Sequence, residues 1–163
     1  MKMLLILLSL FCVFSISVFI WGMLIPVKHQ VTVKEQIHVP IEDVWQIITD
    51  WENQANWRSE VSRIELVSSS KFIEYPKHGP AITFDVIKAQ KPHSIVLKMS
   101  GSIKGDYVAT LSFSEGITTV TATETVLNHS IIGRVISKVF FDLDKFAKSY
   151  LLQLKTKAEN KSS

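Results

Sequence analysis

The chain has 163 residues, with 18 Lys and Arg against 15 Asp and Glu, which is room for one ordinary domain and a short appendage. A formal net charge of +3, without a dense Lys/Arg block, is too mild to argue for a nucleic-acid partner. The single cysteine, Cys12, excludes an intramolecular disulfide and a cysteine metal site.

Residues 3–25 carry no charge and are mostly Leu, Ile, Phe and Val. About 20 such residues can cross a bilayer core as a helix. Trp21 suits the headgroup level, Pro26 stops the helix and Lys28 follows. A cleaved signal has an apolar core of about 7–15 residues and a small-x-small cleavage site. The run here is longer, Ile25-Pro26-Val27 offers no such site, and Phe11 is too bulky before Cys12 for a lipoprotein site. The reading is therefore a retained single-pass anchor over residues 1–25, bounded by Trp21 and Lys28. Basic residues vote slightly for a cytoplasmic domain. The very short tail before the span resembles an uncleaved signal instead, and the domain is placed on the extracytoplasmic side.

Residues 26–30 read as a linker. Residues 31–39 alternate, with Val31, Val33, Ile37 and Val39 in one phase, and form a strand. Glu35 is an acid in that apolar phase. Pro40 opens a short helix whose first turn holds Glu42 and Asp43, where the helix dipole favours acids. Residues 50–55 form a second small helix or turn, closed by Trp57. Strands follow at 61–67, 71–75, 81–88, 94–100, 106–114 and 117–127, separated by turn signals such as Glu115-Gly116. Consecutive strands with short turns make an antiparallel meander. Asn128 or Ser130 can cap a final helix. From 131 to 157 the apolar residues keep the spacing of one helical face, through Ile132, Val135, Ile136, Val139, Phe140, Leu143, Ala147, Leu151 and Leu154. One unbroken helix of roughly 35–40 Å is expected to lay this stripe in the curved sheet. The fold class is α+β.

Two segments carry a family resemblance. "VTVKEQIHVPIEDVWQIITDWENQANW" resembles the start of the START-like, or Bet v 1-like, helix-grip superfamily, particularly its bacterial polyketide cyclase (SRPBCC) branch, at Pro40, Val44, Trp45, Asp50 and Trp57. "IIGRVISKVFFDLDKFAKSYLLQLKTKAE" is similar to that branch's final helix. The resemblance covers the soluble part, read as a ligand-binding domain over 31–159 with a tail at 160–163. It implies a cavity between sheet and C-terminal helix that binds a hydrophobic small molecule or lipid.

The residues themselves offer little chemistry. The five histidines lie in linkers, strand ends or turns without metal-ligand spacing, and no nucleophile elbow or phosphate loop occurs. No cofactor or metal is expected, and oligomeric state is not fixed. Candidate cavity residues are Trp57, Tyr75, Phe84, Met99, Tyr107, Phe140 and Leu143, with Trp45 and Trp51 as further aromatics and Arg58 at a pocket rim. Plain core packing is the competing role for each. Glu35 and Glu124 both fall in the apolar phase of neighbouring strands. They would either share the cavity, raising one pKa, or be turned to solvent or paired by Lys or Arg. The expectation is a membrane-anchored binding protein. The alternatives are a cyclase- or hydrolase-like enzyme using Glu35 or Glu124, and an envelope interaction module with a collapsed cavity.

Overall fold

The computed structural model describes residues 2–161; Met1, Ser162 and Ser163 lie outside the described residues. Its elements run α1 (Lys2–Leu24), β1 (Lys28–Ile37), α2 (Ile41–Thr49), a 3-10 turn (Glu52–Asn56), β2 (Val61–Ser68), β3 (Lys71–Pro76), β4 (Ile82–Gln90), β5 (Ser94–Gly101), β6 (Lys104–Ser114), β7 (Ile117–Leu127), α3 (Ile131–Phe140) and α4 (Leu143–Lys161). They divide into two compact units, Met1–His29 with Leu127–Asp142 and Gln30–Val126 with Leu143–Ser163.

In the larger unit, seven strands form one curved antiparallel sheet in the order β1-β7-β6-β5-β4-β3-β2. Chain order is kept from β2 to β7, as hairpin turns require. The β6–β7 turn has Glu115 at φ 52° and Gly116 at φ 81°, the paired left-handed conformation that suits the twist of a two-residue hairpin. β1 closes the sheet beside β7, where Thr32 and Thr123 share a hydrogen bond of 2.9 Å between their hydroxyls.

Period-two alternation sends one set of side chains inward. Val33 and Ile37 of β1, Phe72 of β3, Phe84 of β4, Ile95, Leu97 and Met99 of β5, Ala109 and Leu111 of β6, and Val120 and Ala122 of β7 are buried in one core. α4 meets this face with Ala147, Leu151, Leu154 and Ala158, three- and four-residue steps along one helical stripe. Two alanines in that stripe let the helix approach closely. α2 adds Ile41, Val44, Trp45, Ile47 and Ile48.

Polar ties fix α4 lengthwise. Lys155 Nζ bonds Glu35 Oε1 at 2.9 Å, and the His38 backbone N–H donates to Glu159 Oε1 at 3.1 Å. Gln153 Nε2 donates to Glu60 Oε2 at 3.0 Å, while Gln153 Oε1 accepts from the Ser59 N–H at 2.6 Å.

The expected single helix over 131–157 is corrected: it is two helices. Phe141 is extended, with φ −132° and ψ 117°, and ends α3 before α4 begins at Leu143. Ser130 is the cap, its Oγ accepting from the Gly133 N–H at 3.1 Å. No residue of α3 is buried, and it packs on α1 in the smaller unit.

Gly105 sits where β6 and β7 approach too closely for a side chain. A Cβ there would lie 1.8 Å from the Thr125 carbonyl oxygen of β7. Gly105→Ala must push β6 off β7, and the expected cost is about 1–3 kcal/mol, the range for overpacked sites. Urea unfolding of the detergent-solubilised chain measures it; an unchanged midpoint would contradict the close approach.

Candidate functional site

The inner face of the sheet is mostly apolar, Glu35 of β1 and Thr118 of β7 excepted, and at the end beside the 3-10 turn further polar side chains gather. Arg58, which follows the 3-10 turn, forms a two-pronged ion pair with Glu74 of β3: Nη1 to Oε2 is 2.6 Å and Nη2 to Oε1 is 3.2 Å. Only 10% and 5% of these side chains is exposed. Glu74 points inward because it shares the phase of Phe72 on β3. Gln54, in the 3-10 turn, accepts from Arg58 Nη1 at 2.8 Å and donates to the Ile48 carbonyl at 2.7 Å. Every member of this trio has a partner, as burial of charge demands. Burial alone would lower the Arg58 pKa, but Glu74 raises it above the ordinary arginine value.

Aromatic rings surround the pair. The Arg58 guanidinium lies 5.2 Å over the Tyr150 ring of α4. Tyr150 meets Trp57 at 5.8 Å and the edge of Tyr107, on β6, at 6.0 Å between centroids. The Tyr107 hydroxyl interacts with that of Tyr150 but falls short of full hydrogen-bond geometry, which leaves a buried donor unsatisfied. Burial pushes Tyr107 well above the usual tyrosine range and raises Tyr150 too.

Glu124 of β7 completes the cluster. It lies within electrostatic reach of Arg58, Glu74 and both tyrosines, yet among the described residues no hydrogen bond or ion pair holds it. Burial raises its carboxyl from 4.5 to about 7; the charge of Arg58 opposes the shift and that of Glu74 adds to it. Tyr107, Tyr150 and Glu124 are each hemmed in by protein, yet each keeps accessible surface. Chemically, the cluster offers an unsatisfied phenol, a carboxyl poised between its two forms near neutral pH, and a cation already neutralised by its own partner.

The sequence candidates divide sharply against this geometry. Trp57, Tyr107 and Glu124 fall in the cluster, with Arg58 beside them. Phe84 and Met99 are core, at 9% and 3% exposure; Phe84 stacks on Phe72, which stacks on Trp51. Leu143 is buried at the start of α4. Phe140 is not a cavity residue: it is 82% exposed at the end of α3, because the helix breaks just after it. Tyr75 is not one either. Alternation from Glu74 turns it to the sheet's outer face, where Arg63 lies 3.5 Å over its ring and its hydroxyl donates to Glu65 at 3.1 Å. Glu35 and Glu124 do not form a pair. Glu35 faces α4 and is held by Lys155, whereas Glu124 feels Arg58 and Glu74. Sequence reasoning missed Glu74 outright; its one signal was an acid two residues after Phe72 in the inward phase. Among the described residues no group of three His, Cys, Asp or Glu could hold a metal ion.

A concavity of about 260 Å³ lies between α2, the 3-10 turn and the end of α4. Gln46, Asp50, Asn53 and Lys157 line it together with Ile47 and Trp57, so Trp57 borders this hollow as well as the Tyr150 ring.

The profile of the family described as "polyketide cyclase / dehydrase and lipid transport" matches residues 28–159. The chain belongs to that family. No curated protein matches it. Solved structures agree on the fold of this polyketide cyclase/dehydrase and lipid transport family member. It is similar to the Zhui aromatase/cyclase from Streptomyces sp. R1128, with TM-score 0.67 and 10% identity over 83% of this chain and 96% of that one. A START superfamily protein from Mycobacterium smegmatis gives 0.63 and 14% over 82% and 96%. A conserved protein from Geobacillus kaustophilus gives 0.66 and 13% over 81% and 96%. At such identities the likeness establishes the helix-grip fold, and the chemistry has to come from this family member's own residues.

Two outcomes follow for the cluster. Arg58→Met strands the Glu74 charge in the core and should cost about 3–5 kcal/mol, while the double replacement Arg58→Met with Glu74→Leu should cost much less than Arg58→Met and Glu74→Leu added together. Urea unfolding in detergent measures all four chains, and strict additivity would contradict the pairing. Glu124 works in the opposite sense. Its folded pKa lies above the unfolded value, so the folded protein holds the proton more tightly, and stability falls as pH rises from about 4.5 to about 7. The loss should be on the order of 2 kcal/mol after allowance for its partial exposure, and complete above that window. Glu124→Gln should flatten this segment of the stability–pH curve and raise stability at pH 8. A variant with the wild-type curve would contradict the assignment.

Proposed function

We propose that the protein is a membrane-anchored binder of an amphipathic, largely apolar small molecule or lipid. The guest's polar end would sit against Glu124 and Tyr107, and its apolar part among the rings of Trp57, Tyr107 and Tyr150. The observation that carries this reading is Glu124: a partnerless carboxyl beside a buried, unsatisfied phenol, in a cluster whose one cation is already neutralised. A native core rarely leaves a buried hydroxyl like that of Tyr107 without cause, and a guest bearing a hydroxyl or carbonyl would bond both it and the half-buried Glu124 carboxyl. The family's description, which names lipid transport, supports the guest's class. α1 supports anchoring, being 23 residues long, apolar and almost wholly exposed. An anchor spares a poorly soluble guest the search through bulk water.

A second reading draws on the same carboxyl. A group titrating near 7 is suited to general acid–base work, so the pocket would also serve a cyclase- or dehydrase-type proton transfer with Glu124 as the acid or base. The two readings part on what is bound.

Extraction and mass spectrometry of the natively purified full chain test both. Wild type should yield a specific amphipathic molecule near one per chain. Glu124→Trp, which fills the space, should lose it while keeping the ordinary lipids around α1. The same lipids in both samples would contradict the binding reading. If Glu124→Gln accumulates a guest differing in mass from the wild type's, for example by one water, the catalytic reading gains; an identical guest favours simple binding.

A further inference from the structure

The smaller unit leaves one feature unused by the pocket. The apolar stripe of α3 is not buried: Ile132, Ile136, Val139 and Phe140 are 68%, 53%, 54% and 82% exposed. The helix is nonetheless firmly placed against the end of α1. Gly22 of α1 is buried under it, and a Cβ at Gly22 would meet Ile131 Cγ2 at 2.7 Å and Val135 Cγ2 at 2.9 Å. Arg134 Nη1 donates to the Ile25 carbonyl at 3.0 Å, satisfying a carbonyl that the end of α1 leaves without an intrahelical partner. The Asn128 N–H donates to the Val27 carbonyl at 2.9 Å, which ties down the approach to α3.

At about 100° per residue, the α3 side chains sort into two arcs. Ile131 and Val135 face α1. Val139, Ile132, Ile136 and Phe140 continue the same apolar arc around roughly half the circumference, away from α1. Gly133, Arg134, Ser137 and Lys138 fill the other half. α3 carries two basic residues and no acid. A short amphipathic helix with this division, fixed at the end of a span, has the features of a helix lying in the plane of a membrane interface.

We infer that α3 is a second membrane-contacting element, lying in the headgroup–acyl boundary with Ile132, Ile136, Val139 and Phe140 dipped into the lipid and favouring anionic headgroups through the exposed Lys138. Continuity commits the occupant. The stripe adjoins the exposed apolar surface of α1, and whatever solvates the last turn of α1 also meets α3. This inference rests on reading α1 as a membrane span.

The test uses the full chain in vesicles of phosphatidylcholine and phosphatidylglycerol. An environment-sensitive fluorophore is placed on Ile136→Cys, Phe140→Cys or Ser137→Cys in a Cys12→Ser background, and separately on native Cys12. Quenchers are lipids brominated near the headgroup end of the acyl chain, lipids brominated deeper for Cys12, and aqueous iodide. Probes at 136 and 140 should lose most of their emission to the shallow bromines and little to iodide, with the reverse at 137. Quenching at 136 and 140 should weaken when phosphatidylglycerol is omitted. A lipid-quenched Cys12 with iodide-quenched probes at 136 and 140 would overturn the inference and leave the anchor standing. Probes at 136 and 140 protected from both quenchers would mean that protein covers the face, and would also overturn it. A Cys12 quenched by iodide alone would remove the anchor and the inference together.

Discussion

An ion pair buried under an apolar sheet sets the terms for everything around it. Arg58 and Glu74 are closed off from water, and a charge so placed is tolerable only when matched in geometry as well as sign. The match is two-pronged, and Gln54 takes one further guanidinium proton while anchoring itself on the end of α2. This arrangement fixes the 3-10 turn on the sheet and aims the guanidinium at the Tyr150 ring, which fixes Tyr150 and through it Tyr107. It also decides the state of Glu124. Among the described residues, the one cation whose charge reaches Glu124 is Arg58, already committed to Glu74, whose negative charge works against a second carboxylate. One acid is therefore buried and held by a cation while the other is half-buried and held by none among the described residues, and the functional reading rests on that asymmetry.

The pattern of strands was legible because alternation and turn chemistry agree along the whole meander. The long-range matches were not. Glu35 and Glu124 look alike in the sequence, each an acid among inward-facing apolar residues. Only the fold brings Lys155 to the first and leaves the second bare. Glu74 went unseen because β3 is short and its phase is ambiguous: Phe72 and Glu74 share one face, Ile73 and Tyr75 the other, and the apolar content of the two sides is similar. That same ambiguity placed Tyr75 inside. The break after α3 was hidden by an accident of spacing. Phe140 and Leu143 are three residues apart, so the stripes of α3 and α4 join into one apparent face. The two stripes serve different neighbours, and periodicity records amphipathicity without saying what lies against it.

The helix-grip architecture accounts for where a guest would lie and leaves its identity to a few side chains. In this chain those side chains are neither strongly basic nor metal-binding; they are phenols, an indole and a carboxyl near its midpoint. Such a set suits a largely apolar molecule with one hydroxyl or carbonyl, of the kind that resides in membranes. The smaller unit agrees with that setting from independent residues, since its exposed surface is apolar on α1 and on half of α3.

The account depends most directly on the state of the Glu124 carboxyl in the folded protein. Carbon-13 NMR of the full chain in detergent micelles, labelled at glutamate side-chain carboxyls and assigned with Glu124→Gln, reads that state against pH. The account predicts a Glu124 titration midpoint near 7. A midpoint in the ordinary range of about 4–5 would mean that water or a partner already satisfies the group. The proposed binding site would then be no site.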